Sequence, residues 1–444
     1  KHDGGSRMLR IKWLILPVLT VLIALPAGVA AEGQKPVFGD TGVLSLDQCL
    51  EMGAQNNKEL QQYEKKVMIA DGAVKEAAAG FWPTVNYQAK REQSDVAQYQ
   101  VGPGYEKTDF VGGITATLPL YTGRMLENNL KLTRVRLEIA KEERRKAKQQ
   151  LTCDVKEAYY GVWLAQQLLQ VQQASLRNLE HHVVQVQGRY KSEYASRLEV
   201  LRAQVQRDTL KPKVINAQNQ LALAKLQLAT LIGYPQERPY QVQYDADRLQ
   251  MPDAITGSIS LTVAEACQNR SEMRQIQKKA EIDRILTAMK EASYKPNVAL
   301  SAGYGMVNKD IFADDAYGAW MLTLSVGGKI YDRSVRAKIE QARDEADLTL
   351  IGEGRLRDLI RLETEQSFQN LQSAIENTRA ARASIDLARE TLRMTQIRMD
   401  NGMATTMDIM DAQLALDQAL TGYYQGIGSY LIAEAKLDLV TGQD

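Results

Sequence analysis

The residues best equipped for chemistry stand in one short stretch, "TTMDIMDAQ" at 405–413, where Asp408 and Asp411 are three apart. That spacing puts two carboxylates on one face of any helix containing them, where like charges couple, repel anions and attract cations. The plainer reading of Asp408 is a helix-start carboxylate favoured by the positive end of the helix dipole. Elsewhere the chain offers little reactive chemistry. Its three histidines are His2, His181 and His182, and adjacent histidines on a helix point in different directions, so they do not converge on a metal. "VGPGY" and "SVGGK" are glycine-rich but lack the strand-to-helix context of a phosphate loop. No catalytic centre, metal or cofactor is expected. Cys49, Cys153 and Cys267 are too few and too scattered for a disulfide framework. They read as small buried residues, with a Cys49–Cys267 bridge left open.

The carboxylate pair follows a corner, "NGMATTMDIMDAQ" (401–413), that has a weaker copy 209 residues earlier in "SEYASRLEVLRAQ" (192–204). The same offset sets "LATLIG" (228–233) on "LDLVTG" (437–442). Nearer the start of each copy, "LSLDQCLEMGAQNNKEL" at 44 resembles "ISLTVAEACQNRSEM" at 259. Self-similarity of this kind marks a duplicated architecture. The first repeat spans 32–233 and the second 259–444, joined by a connector at 234–258 rich in proline and polar residues.

Each repeat has one plan. A helical segment of about 36 residues (45–80; 260–294) stops at an aromatic and a proline, in "FWPTV" and "YKPNV". After alternating stretches comes a helical tract of nearly 70 residues (123–190; 332–399), a tight corner (about 190–197; about 399–406) and a last helix of about 36 residues. At about 1.5 Å per residue the long tract spans on the order of 100 Å, the length of two shorter helices laid end to end. A long helix beside a stacked pair is therefore the expected packing. Leu210, Val214, Ala217, Leu221, Ala224, Leu228 and Leu231 form a heptad seam, and Ala419, Tyr423, Gly426, Tyr430, Ala433, Leu437 and Val440 repeat it. Pro212 predicts a kink near Thr209–Lys213, absent in the second copy, which has Thr421 there.

The alternating stretches pair into hairpins at about 83–121 and about 296–331. Val85, Tyr87 and Ala89 share a face, as do Ile114, Ala116, Leu118 and Leu120; Val298, Leu300, Ala302, Tyr304 and Met306; and Trp320, Leu322, Leu324 and Val326. About ten residues suffice for a tilted strand to cross a bilayer. Phe81, Trp82, Tyr121, Tyr294 and Tyr331 mark one end of the strands, with Tyr99, Tyr105, Tyr317 and Trp320 at the other. Such rings suit a lipid–water boundary. An open four-stranded sheet cannot enter lipid with unpaired edges, so strands must be pooled among copies; eight fill their own interior and twelve leave a lumen. The alternative is a soluble pair of hairpins capping a helical scaffold.

Bulk properties narrow the classes. Lys+Arg number 55 against 54 Asp+Glu, a balance that leaves no field for nucleic acid. Residues 1–31 hold Met8, Arg10, Lys12, an apolar run from Trp13 to Val29 and small residues to Ala31, which read as upstream residues and a signal peptide; a retained anchor is the rival.

The signal peptide, the doubled helix–hairpin–helix unit and the "T-x-x-D-I-M-D-A-Q" corner at 405–413 together resemble the TolC family of outer-membrane efflux channels, the outer-membrane factors of tripartite efflux and type I secretion systems. The resemblance implies a fold that is mainly α with a transmembrane β-barrel. Two tandem repeats would give long coiled-coil helices in a periplasmic helical barrel, plus four strands per chain, making a twelve-stranded barrel in a homotrimer. The connector and C-terminus would surround the waist. It further implies an exit duct in the bacterial outer membrane that passively conducts small molecules, without a cofactor. A periplasmic adaptor would join it to an inner-membrane pump of RND, ABC or MFS type. A protein-secretion duct is the alternative. Tyr194, Ala195, Ser196, Gly402, Met403, Ala404 and Thr405 match the adaptor-docking tip. Asp408 and Asp411 match a pore constriction, where three chains would bring six carboxylates together and raise the pKa of some of them. The first copy has Glu199 and Arg202 at those places, and Glu193 where the second has Gly402, so its corner must turn without the residue that best tolerates a left-handed backbone. Ala404 replaces an arginine that locks the tip in some members, which leaves the gating contacts open.

Overall fold

The computed structural model of the chain describes residues 42–93, 108–235, 238–244, 258–308 and 317–443. The signal-peptide reading, Tyr99, Tyr105, connector residues 245–257, the loop at 309–316 and the side chain of Tyr317 lie outside what is described.

Local sequence divides the first helical segment, expected to be continuous, into α1 (Leu46–Asn56) and α2 (Lys58–Ala79). Asn57 leaves the helical region (φ −66°, ψ 122°), and its Oδ1 accepts from the amides of Glu59 (2.9 Å) and Leu60 (3.1 Å). Asparagine competes with the helix for backbone partners, so it ends one helix and caps the next. The second repeat breaks likewise at Arg270, between α5 (Ile259–Asn269) and α6 (Ser271–Glu291), here with no side-chain cap.

The long tracts form α3 (Met125–Lys191) and α7 (Arg333–Asp400), followed by α4 (Arg197–Ile232) and α8 (Thr406–Thr441). α3 lies beside α1, α2 and α4, while α7 lies beside α5, α6 and α8. The short helices meet end to end. Asn57 Nδ2 donates to the Leu231 carbonyl at 3.1 Å, and Gly233 closes α4 in the left-handed region against Asn56. Gly442 closes α8 in the same way against Asn269 and Arg270. α3 also packs on α6 and α8, so the helices are ordered α4–α3–α8–α7 in one half and α2–α3–α6–α7 in the other.

The seam of α4 faces inward: Leu210, Val214, Ala217 and Leu228 are buried, and Leu221, Ala224 and Leu231 half-buried. In α8 the small residues allow close approach, since a Cβ at Gly426 would meet the Cα of Thr378 at 3.1 Å. α4 runs uninterrupted through Pro212, whose ring removes the amide that would bond to the Asp208 carbonyl. Trp163, Leu371, Ile375, Ile427, Tyr430 and Leu431 form a buried cluster with Tyr244 packed on it. The two-residue strands β1 (Val43–Leu44) and β4 (Gln241–Val242) pair in parallel, and Tyr159 Oη donates to the Gln243 carbonyl, fastening this part of the connector to α3. Cys49 and Cys153 are buried and Cys267 is half-buried; all three are free. Burial pushes the Cys49 thiol up to about 12 and Cys153 to about 11.

β2 (Thr84–Gln93), β3 (Thr108–Thr122), β5 (Asn297–Asn308) and β6 (Tyr317–Gly327) make one antiparallel sheet in the order β2–β3–β5–β6. Directly paired residues share a face. Val85, Ala116, Ala302 and Leu322 form one row, and Tyr87, Ile114, Tyr304 and Trp320 another. Thr84, Thr117, Ser301 and Thr323 lie on the opposite face, with Thr117 Oγ1 3.2 Å from Ser301 Oγ. The alternation expected to run from Ile114 to Leu120 is interrupted at its end: the register shifts between Pro119 and Tyr121, and Tyr121 is the residue paired with Val298. Proline has no amide to give the ladder, and the extra residue is absorbed as a bulge.

Candidate functional site at the helical corners

Both corners close by the same hydrogen-bond geometry. After α3, the Glu193 amide bonds to the Tyr190 carbonyl (3.0 Å) and the Tyr194 amide to Arg189 (2.8 Å). After α7, Gly402 bonds to Met399 (2.9 Å) and Met403 to Arg398 (2.7 Å). This double closure places one residue in the left-handed region: Glu193 at φ 63° and Gly402 at φ 72°. The corner without glycine therefore turns the same way, with a side chain in a region that disfavours it.

The next helices begin with reciprocal caps. Ser196 Oγ accepts from the Glu199 amide at 3.3 Å, while Glu199 Oε1 accepts from the Ser196 amide at 3.3 Å. Thr405 and Asp408 repeat the arrangement: Asp408 Oδ2 accepts from the Thr405 amide (2.7 Å) and Oγ1 (2.8 Å). These bonds, first from the Thr405 amide and then from its hydroxyl, hold the Asp408 carboxyl below the usual carboxylate range within the single chain. Asp411, one turn further on, is exposed and has no hydrogen-bond or ion-pair partner among the described residues. The two carboxylates thus differ. Capping accounts for an acid at 408, as it does for Glu199, but does not account for Asp411. The corners also touch, Thr406 Oγ1 donating to Glu199 Oε2 at 3.4 Å.

Around the corners Tyr194 (80% exposed), Met403 and Met407 stand in the open. Ser196, Gly402 and Thr405 are exposed, and Ala195 and Ala404 half-buried. Sequence reasoning missed two further features. The first is a second heptad stripe on α4, Leu198, Leu201, Val205, Ile215 and Leu226, which is exposed because α3 takes only the other seam. Its spacing was readable. The second is a buried polar link, about two and a half turns beyond Asp408, between α3 and α8. Ser175 Oγ donates to Asp417 Oδ2 at 2.5 Å, Gln413 Nε2 to Asp417 Oδ1 at 2.8 Å, and Asn178 Nδ2 to Gln413 Oε1 at 3.2 Å. Burial pushes the Asp417 carboxyl up, against these hydrogen bonds and the nearby Lys213 charge. No sequence signal separates these polar residues from their solvated neighbours. His182 is buried and His181 exposed, on different sides of α3.

At the opposite end, Phe81, Trp82, Tyr121, Tyr294 and Tyr331 are all exposed where strands give way to helices. Tyr294 Oη donates to the Asp332 carbonyl at 2.7 Å.

Comparison with known proteins adds to this geometry. A family model described as "Outer membrane efflux protein" matches residues 50–234 and 262–443. The chain is 19% identical over 428 residues to nodulation protein T of Rhizobium leguminosarum bv. trifolii, covering 94% of this chain and 90% of that one. It is 21% identical over 373 residues to the alkaline protease secretion protein AprF of Pseudomonas aeruginosa, covering 80% and 75%. Its fold resembles the crystal structure of CusC, with a TM-score of 0.77 and 17% identity, covering 90% of this chain and 92% of that one. The cation efflux system protein CusC of Escherichia coli O157:H7 is 21% identical over 404 residues, covering 90% and 80%.

Proposed function

Because the chain belongs to the outer membrane efflux protein family, whose members are homotrimeric channels working with adaptors and inner-membrane pumps, we propose that it is the exit duct of a tripartite efflux system, passing small molecules from pump and adaptor to the exterior. The observation that carries the reading is the four-stranded sheet, with an apolar exposed face, a polar opposite face and open edges at β2 and β6. In hydrocarbon each unpaired backbone group costs several kcal/mol, so β6 of one copy must meet β2 of the next. Three copies give the twelve strands that leave an aqueous lumen.

The helices support the same closure. Their order leaves α4 and α7 at the flanks, and each shows exposed apolar residues there: the second stripe of α4, and Leu387, Met394 and Ile397 on α7. Packing α7 of one copy on α4 of the next would cover both.

At the corners, Tyr194, Ala195, Ser196, Gly402, Met403, Ala404 and Thr405 would receive the adaptor, and Asp411, with Asp408, would line the constriction. The pump, of RND, ABC or MFS type, sets the cargo. Similarity to AprF favours protein export as a second use of the same conduit. Purified protein in planar bilayers tests the proposal: discrete conductance from a trimer is expected. A freely soluble monomer after osmotic shock, with no conductance, would overturn it.

A further inference from the structure

Three junctions meet where the sheet passes into the helices: β3 to α3, α6 to β5 and β6 to α7. Thr122 pairs with Asn297, and Asn297 with Gly327. A Cβ at Gly123 would lie 2.8 Å from Lys295 Cβ, and Tyr294 Oη reaches the Asp332 carbonyl. These ties bring Arg124, Lys295 and Arg333 to one rim. All three are exposed and none has an ion-pair partner among the described residues. The neighbouring acids are largely engaged. Asp332 is held by Lys329 at 2.7 Å and caps α7 through the Ser334 amide at 3.0 Å, and Glu291 is paired with Arg343 at 3.0 Å. Glu127 in the first turn of α3 is the remaining counterweight, so cations predominate.

The rim is continuous with the apolar face of the sheet, because Tyr121 stands in the row of Val298 and Val326. Beside it Trp82, Tyr331 and the fully exposed Ile330 offer apolar surface to solvent. Long basic side chains lay their stems along such a boundary and extend the charge to the headgroup level. Anionic phospholipids attract basic residues there, each residue contributing a preference of roughly fivefold. Conduction of cargo calls for none of these cations. We infer that Arg124, Lys295 and Arg333 form a binding rim for the phosphate headgroups of anionic phospholipids in the leaflet nearer the helices, fixing the depth of the sheet in the bilayer. The inference rests on the outer-membrane reading.

Bromolipid quenching tests it on the assembled channel in phosphatidylcholine vesicles. In a Trp13→Phe/Trp320→Phe background Trp82 reports from the rim, Trp163 being buried among the helices. Brominated phosphatidylglycerol should quench at a mole fraction at least fivefold lower than brominated phosphatidylcholine, and the difference should vanish in about 0.5 M salt. It should also vanish in the R124Q/K295Q/R333Q variant. Equal quenching by the two lipids at low salt, or a preference that survives the triple substitution, overturns the inference. Should the triple variant fail to assemble, the salt series and Arg333→Gln alone decide it. A Trp13→Phe/Trp82→Phe variant, in which Trp320 reports, tests embedding separately: quenching of Trp320 by both lipids keeps the membrane reading even where the rim shows no preference.

Discussion

Three glycines adopt nearly the same left-handed backbone in different surroundings, which separates the cost of conformation from the cost of space. Gly402, Gly233 and Gly442 have φ of 72°, 66° and 72°. An alanine at each carries a left-handed penalty of about 1 kcal/mol after allowing for the lost flexibility of the unfolded glycine. At Gly402 nothing lies within 4 Å of the new Cβ, so that penalty stands alone. At Gly233 the Cβ would lie 2.7 Å from Asn56 Cβ, a side-chain atom fixed close to its backbone, and overpacking adds about 1 kcal/mol or more. At Gly442 it would lie 2.9 Å from the Asn269 carbonyl carbon and 3.0 Å from the Arg270 nitrogen, so main chain must move. Moving it also disturbs the buried bond from Gln149 Nε2 to the Gly442 carbonyl at 3.0 Å, worth about another 1 kcal/mol. The expected losses are about 1 kcal/mol for Gly402→Ala, 2 for Gly233→Ala and 3 to 4 for Gly442→Ala. Thermal unfolding of the purified assembly in one detergent, followed by circular dichroism, should give midpoints in that order. Midpoints for Gly233→Ala and Gly442→Ala no lower than that for Gly402→Ala would refute the claim that the helix ends are seated in the joints at Asn57 and Arg270.

Glu193→Gly should slow amide exchange at 190–197 and raise stability by about 0.5 to 1 kcal/mol, by relieving the left-handed side chain; faster exchange would show that the Glu193 side chain has a partner in the assembly. Asp411→Asn should weaken cation preference in single-channel recordings while leaving the corner's exchange unchanged, whereas Asp408→Asn should affect both. The Asp408 carboxyl is depressed when folded, so its contribution is present above the unfolded value of 3.8 and lost as pH falls through the folded one; exchange at 405–411 should rise only in that acid range. Asp417 is raised when folded, so its effect has the opposite sign: the contact between α3 and α8 is favoured at low pH and weakened as pH rises through the folded value. Asp417→Asn should therefore raise the thermal midpoint at pH 7 and flatten its acid dependence. Placing a charge at the corner with Ala404→Glu should impair export without lowering trimer yield, measured by drug accumulation and by native gels.

What could be read from the chain followed from periodicity. The seam from Leu210 to Leu231 and the alternation from Val298 to Met306 declare buried stripe and lipid face because each needs one repeated spacing. The breaks at Asn57 and Arg270 were harder, because a single residue decides between continuing a helix and starting another. The reciprocal cap of Thr405 and Asp408 has a readable signature, T-x-x-D, which the same residues share with a pore-facing carboxylate pair. The bulge at Pro119–Tyr121 was half legible, since proline marks irregularity without saying which residue is extruded. Ser175 and Asp417 gave no warning, because burial of a polar residue is a property of its neighbours.

The joints at Asn57 and Arg270 also act as a ruler. Each repeat is a long limb matched by two shorter ones whose ends abut, so the tube cannot be lengthened on one side only. An insertion in α4 would have to be answered by one of equal size in α3, and in multiples of seven to keep the seam in phase. Lineages of different reach should therefore differ by matched pairs of insertions, in all four limbs at once.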